Sequence, residues 1–107
     1  MDESRYQRLA GDAFRRIEDA FAEVDPSDAD LEAAGDVLTL TLKNKVRCIV
    51  NTQRPTKQIW LAASSRAWHF GLDEASGRWL DDKGTGAELF ATIESIVKEH
   101  AAIDVKI

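Results

Sequence analysis

The segment Asn51-Thr-Gln-Arg-Pro-Thr-Lys-Gln-Ile-Trp60 gathers residues suited to recognition. Asn51, Gln53 and Gln58 each carry an amide that can donate and accept hydrogen bonds. Trp60 carries a large flat apolar surface, and tryptophan is enriched among the residues that dominate protein interfaces. None of the four is a nucleophile or a general base, so the chemistry they support is binding. A second set of groups is electrostatic. Residues 1–36 hold eleven Asp and Glu against four Arg, whereas residues 37–107 hold eight against ten Lys and Arg. Between Val37 and Leu72 there is no acidic residue, but there are six basic ones: Lys43, Lys45, Arg47, Arg54, Lys57 and Arg66. Such segregation predicts a dipolar molecule, and two differently charged surfaces suit two kinds of partner.

The elements that position these groups follow from periodicity. Ser4, with Gln7 three residues on, predicts a helix start by the capping-box pattern. Tyr6, Leu9, Ala10, Ala13, Phe14, Ile17, Phe21 and Val24 then recur at three- and four-residue steps, one apolar stripe ending near Asp25-Pro26. Asp12, Arg15, Arg16, Asp19 and Glu23 occupy the opposite face, with Glu18 at its edge. Residues Asp25 to Glu32 have turn chemistry and predict a linker. Asp36–Leu42 alternates strictly and predicts a half-buried strand. Lys43-Asn-Lys45 predicts a tight turn, with Asn44 best suited to a left-handed conformation. Further strands are expected over Val46–Asn51, Gln58–Ala62, Ala67–Leu72 and Arg78–Leu80. A last helix carries Leu89, Phe90, Ile93, Ile96 and Val97 on its apolar face and ends near His100. The tail Ile103–Ile107 is expected to pack between the helices.

That order predicts a single domain over 1–107 of the α+β class, a two-layer sandwich with two terminal helices packed on one face of an antiparallel sheet. The other sheet face is left to solvent. Period two places Ile59 and Leu61, Cys48 and Val50, and Trp68, Phe70 and Leu72 inward. Gln58, Trp60, Ala62, Arg47, Ile49, Asn51 and His69 then face outward. A tryptophan on an open polar sheet reads as a binding anchor. Trp68 and Trp79 read as core.

Several functions are excluded by what is missing. There is no HExxH, no CxxC and no spacing of two histidines with a carboxylate. Cys48 is the single cysteine; it can form no intramolecular disulfide, which fits a reducing compartment, and its strand position marks it as a small core hydrophobe. The outward basic residues are too few and scattered for a nucleic-acid footprint, and the net charge of −5 opposes one. No apolar run approaches the roughly 18 residues of a membrane span. The start MDESRYQRLAG lacks the apolar region of a secretory signal. The expectation is a cytoplasmic protein that contacts neither nucleic acid nor membrane.

The pattern Asn51-x-Gln53-x-Pro55-x-x-Gln58-Ile59-Trp60-Leu61 resembles the signature of the frataxin family in its bacterial form. The resemblance extends to the acidic first helix, to Gly35-Asp-Val-Leu-Thr-Leu40, to Trp68-His-Phe70 and to the closing helix. It implies the same helix–sheet–helix sandwich. It also implies weak binding of ferrous and ferric iron on an acidic ridge, which maps here onto Glu18, Asp19, Glu23, Asp25, Asp28, Asp30 and Glu32. Iron without thiolate or imidazole clusters takes carboxylate and water oxygens, and Asp19 and Glu23, four apart, are expected as helix-surface neighbours. The resemblance further implies binding to the cysteine desulfurase and scaffold protein that build iron–sulfur clusters. The surface around Asn51, Gln53, Gln58, Trp60 and His69 is then the partner contact. The chain is expected to be a non-enzymatic regulator, monomeric and able to oligomerise with iron. The alternative is an iron oxidase that stores iron by oligomerising.

Overall fold

Helix α1 spans Glu3–Phe21 in the computed structural model, which describes residues 1–107. Its stripe Tyr6, Ala10, Ala13, Phe14, Ile17 and Phe21 is buried, as the periodicity requires. The cap lies two residues earlier than expected. Asp2, not Ser4, accepts the Arg5 amide at 2.7 Å, while Gln7 reaches back to Glu3 at 3.1 Å. A carboxylate at this end also meets the positive pole of the helix. The helix stops at Phe21, earlier than the apolar stripe suggests. Ala22 and Val24 donate to carbonyls three residues back, a tightening that fits the approach to Pro26, which disfavours helix at the residue before it.

A six-stranded antiparallel sheet follows, its strands in sequential order. The strands are β1 (Ala29–Ala34), β2 (Val37–Leu42), β3 (Arg47–Gln53), β4 (Gln58–Ala63), β5 (Arg66–Asp73) and β6 (Arg78–Asp81). Strand β1 corrects the expectation that the whole stretch Asp25–Glu32 is linker. Only its first half turns, with Asp25 Oδ1 accepting from the Ser27 amide and hydroxyl. The second half pairs with β2, Leu31 opposite Leu40 and Ala33 opposite Leu38. In the turn after β2 it is Lys45, at φ 76°, that takes the left-handed conformation expected of Asn44. The Asn44 side chain instead accepts the Val46 amide and meets His100 Nδ1 at 2.8 Å. That contact ties the turn to the end of α2 (Leu89–Ala101).

Both helices pack on one face of the sheet. Leu38, Leu40, Leu42, Cys48, Val50, Ile59, Leu61 and Phe70 from the strands meet the helices' apolar faces in a continuous core that includes Trp79. Trp68, expected in the core, is only half-buried; the Arg66 guanidinium lies 4.6 Å over its ring. The tail packs as expected. Val105 is buried, Arg16 Nε donates to the Ile107 carbonyl, and the Ile107 amide donates to Glu94. The tail thereby clasps α1 to α2. No helix is long and apolar enough to cross a membrane.

Candidate functional site

The open sheet face is set by strand parity. Ile59 and Leu61 are buried beneath β4, so Gln58, Trp60 and Ala62 project to the other side. The registers place Asn51 opposite Trp60 and Trp60 opposite His69, one row across β3, β4 and β5. Gln53 stands opposite Gln58 in the next row. Ile49, the most exposed large aliphatic residue of the sheet, lies opposite Ala62. The five residues expected to contact a partner are therefore contiguous.

Trp60 is not loose on this surface. Its ring stacks on His69 with centroids 4.1 Å apart and planes 16° from parallel. Its indole Nε1 donates to Gln58 Oε1 at 2.9 Å. Gln58 Nε2 in turn donates to Asp82 Oδ2 at 3.1 Å, and that oxygen stands 3.7 Å from His69 Nδ1. The four side chains close a ring of interactions. Asn51 turns its amide onto the Thr52 carbonyl at 3.2 Å.

The platform is anchored from below by Tyr6. This residue is 1% exposed, and its hydroxyl donates to the Gln58 carbonyl at 2.6 Å while accepting the Gln53 amide at 3.1 Å. One buried hydroxyl thus joins α1 to both strands of the β3–β4 hairpin. Desolvation raises its pKa above the ordinary 10.0. Around the tip, Arg54 pairs with Glu3 at 3.1 Å, and Lys57 takes the left-handed conformation that closes the turn after Pro55. Sequence reasoning missed Tyr6 and Asp82 as contributors. Tyr6 reads as one more apolar-face residue, and Asp82 reads as turn.

The acidic residues lie elsewhere. Glu18 and Asp19 are exposed on α1, and Glu23 and Asp25 follow its end. Asp28 is half-buried in the turn, with Lys43 Nζ at 4.0 Å. Asp30 and Glu32 are exposed on β1, opposite Thr41 and Thr39 on the open sheet face. The expected adjacency of Asp19 and Glu23 on a helix is corrected, because Glu23 lies beyond the last helical residue. Asp25 is committed to Ser27, whose hydrogen bonds hold its carboxyl below the usual value. No three His, Cys, Asp or Glu side chains come together to hold a metal ion. The carboxylates form a rim from the end of α1 along β1, not a closed centre.

Cys48 is fully buried, and burial pushes its thiol up to about 12, so it is neither a nucleophile nor a ligand at neutral pH. His100 faces Asn44 and Glu99 in the helical layer, on the other side of the sheet from His69.

A family model described as a frataxin-like domain matches residues 1–103. The "Iron-sulfur cluster assembly protein CyaY" of Pseudomonas aeruginosa is 40% identical over 106 residues, covering 99% of this chain and 96% of the relative. The solved frataxin of Psychromonas ingrahamii superposes with a TM-score of 0.88 at 28% identity, covering 99% and 97% of the two chains. A trimeric frataxin from the yeast Saccharomyces cerevisiae, complexed with ferrous iron, superposes with a TM-score of 0.63 at 25% identity, covering 96% and 88%.

Proposed function

Because the chain belongs to the frataxin-like family, we propose that it acts in iron–sulfur cluster assembly as a non-enzymatic, iron-responsive regulator of the cysteine desulfurase and its scaffold protein. The observation that carries this reading is the preorganised Trp60–His69–Gln58–Asp82 ring on an otherwise open sheet face. A large aromatic held in one orientation costs little entropy on binding, which is the property of an interface anchor. Full-length relatives named for cluster assembly supply the pathway. The carboxylate rim supports the iron half of the proposal by its donor chemistry. Exposed oxygens suit a hard cation that keeps much of its water, so binding there is weak and poorly selective between metals. The same rim steers encounter with a basic partner.

Pull-down with the cognate desulfurase, with and without ferrous iron, tests the proposal. The expected result is capture that changes with iron and is lost in Trp60→Ala. No capture under either condition would sink it. The second reading, an iron oxidase that stores iron as an oligomer, draws on the trimeric yeast frataxin. It is disfavoured because fixed carboxylate and histidine ligands would have to face each other, and His69 and His100 lie on opposite sides of the sheet. Anaerobic ferrous titration followed by oxygen-consumption measurement separates the two.

A further inference from the structure

We propose that Asp82 is the positioning residue of the platform, and that its Oδ2 atom fixes the orientation of Trp60 through Gln58 and His69. An indole N–H can only donate, and an ionised carboxylate can only accept. Gln58 stands between one of each, 2.9 Å from Trp60 Nε1 and 3.1 Å from Asp82 Oδ2. Its amide therefore has one satisfactory orientation, with the NH2 toward Asp82 and the oxygen toward the indole. If the acceptor oxygen at position 82 is removed, the amide is free to turn, and the indole loses a committed acceptor.

The same oxygen lies 3.7 Å from His69 Nδ1, beyond a hydrogen bond but close enough to orient the ring electrostatically. That ring forms the stacking surface of Trp60. Both side chains that hold the indole thus answer to one atom. Asp82 is itself fixed by its backbone. Its amide donates to the His69 carbonyl at 2.9 Å, one residue past the end of the β5–β6 pairing, and Gly84 at φ 73° then turns the chain away. That extra bond carries the alternation on by one residue. Asp81 faces the helices and is buried, so Asp82 faces the platform.

The inference rests on the reading of the open face as a docking surface, and its test separates the two. The first readout needs no partner: the 1H–15N indole signal of Trp60, assigned with Trp60→Phe, and its exchange with water. Asp82→Ala is expected to shift this signal and speed its exchange while leaving the indoles of Trp68 and Trp79 in place. Asp82→Asn keeps an acceptor for Gln58 and is expected to restore most of the wild-type signal. The second readout is desulfurase affinity, expected to fall about three- to tenfold in Asp82→Ala, the scale set by immobilising one or two side chains on binding. An unmoved Trp60 indole in Asp82→Ala overturns the proposal whatever the partner does. So does an Asp82→Asn variant that behaves like Asp82→Ala, which would remove the relay through Gln58. If the indole moves and Trp60→Ala loses binding while Asp82→Ala keeps full affinity, the positioning serves no docking and the proposal is overturned there too. If Trp60→Ala itself binds normally, the docking reading fails, and the indole signals alone decide whether Asp82 positions the ring.

Discussion

Replacing Tyr6 by Phe removes one oxygen atom from the core and should loosen the platform on the opposite side of the sheet. Tyr6 is 1% exposed, and its hydroxyl makes two hydrogen bonds, one donated to the Gln58 carbonyl and one accepted from the Gln53 amide. A typical buried hydrogen bond contributes about 1 kcal/mol net, and a backbone group left unpaired costs about 1–3 kcal/mol. Both bonds are part-buried, so the two losses do not add in full. The expected destabilisation is about 2 kcal/mol. For a domain of about this size that is a fall in Tm of roughly 10 °C. Urea denaturation followed by tryptophan fluorescence measures it, and hydrogen exchange at the Gln53 amide localises it. Burial holds the folded-state pKa of Tyr6 above 10.0, so folding favours the neutral phenol. That contribution is whole below about pH 10 and is lost as pH rises through the raised value. The Phe variant should therefore lose part of the alkaline destabilisation seen in the wild type. A change below about 0.5 kcal/mol with unaltered Gln53 exchange would refute the claim that this hydroxyl staples the hairpin.

Trp60→Ala should leave the fold intact, since the ring faces the open side of the sheet, and weaken desulfurase binding by about 2 kcal/mol, roughly thirtyfold, as for an interface hot spot; equilibrium denaturation and surface plasmon resonance give both numbers. Charge reversal of Asp19 and Glu23 to Lys should slow desulfurase association at low salt, with the deficit shrinking above about 0.15 M, where screening acts within about 8 Å; equal rates at all salt concentrations would take the rim out of the encounter. Cys48, with its thiol raised to about 12 by burial, should resist iodoacetamide at pH 8 in the folded protein and react promptly in urea. Its neutral-thiol contribution to stability should persist below about pH 9 and fade as pH climbs toward 12.

The local physics of this chain is legible from its residues. The three-and-four spacing from Tyr6 to Phe21 produces α1 and the face it buries. Alternation in β2, β3, β4 and β5 decides which side of the sheet each residue takes, so the outward placement of the half-buried Trp60, the burial of Cys48 and the shared face of Asn51, Gln58 and His69 follow from period two alone. Long-range pairing is not legible in the same way. Strand β1 is Ala-Asp-Leu-Glu-Ala-Ala, short of β-branched residues and flanked by turn residues, so nothing local marks it as a strand. It becomes one because β2 offers an unpaired edge and the pairing buries Ala29 and half-buries Leu31 on the helix side. The end of α1 was likewise decided by the turn that delivers the chain to that edge, which carried Glu23 off the helix and spread the carboxylates into a rim. Asp82 was decided the same way. A single backbone bond beyond β6 brings it beside residues 13 and 24 positions earlier, and no spacing rule reaches that far. Periodicity acts between neighbours in the chain and determines faces. Which faces meet, and which side chain ends beside Trp60, depends on register between strands, and register exists only once the sheet has formed.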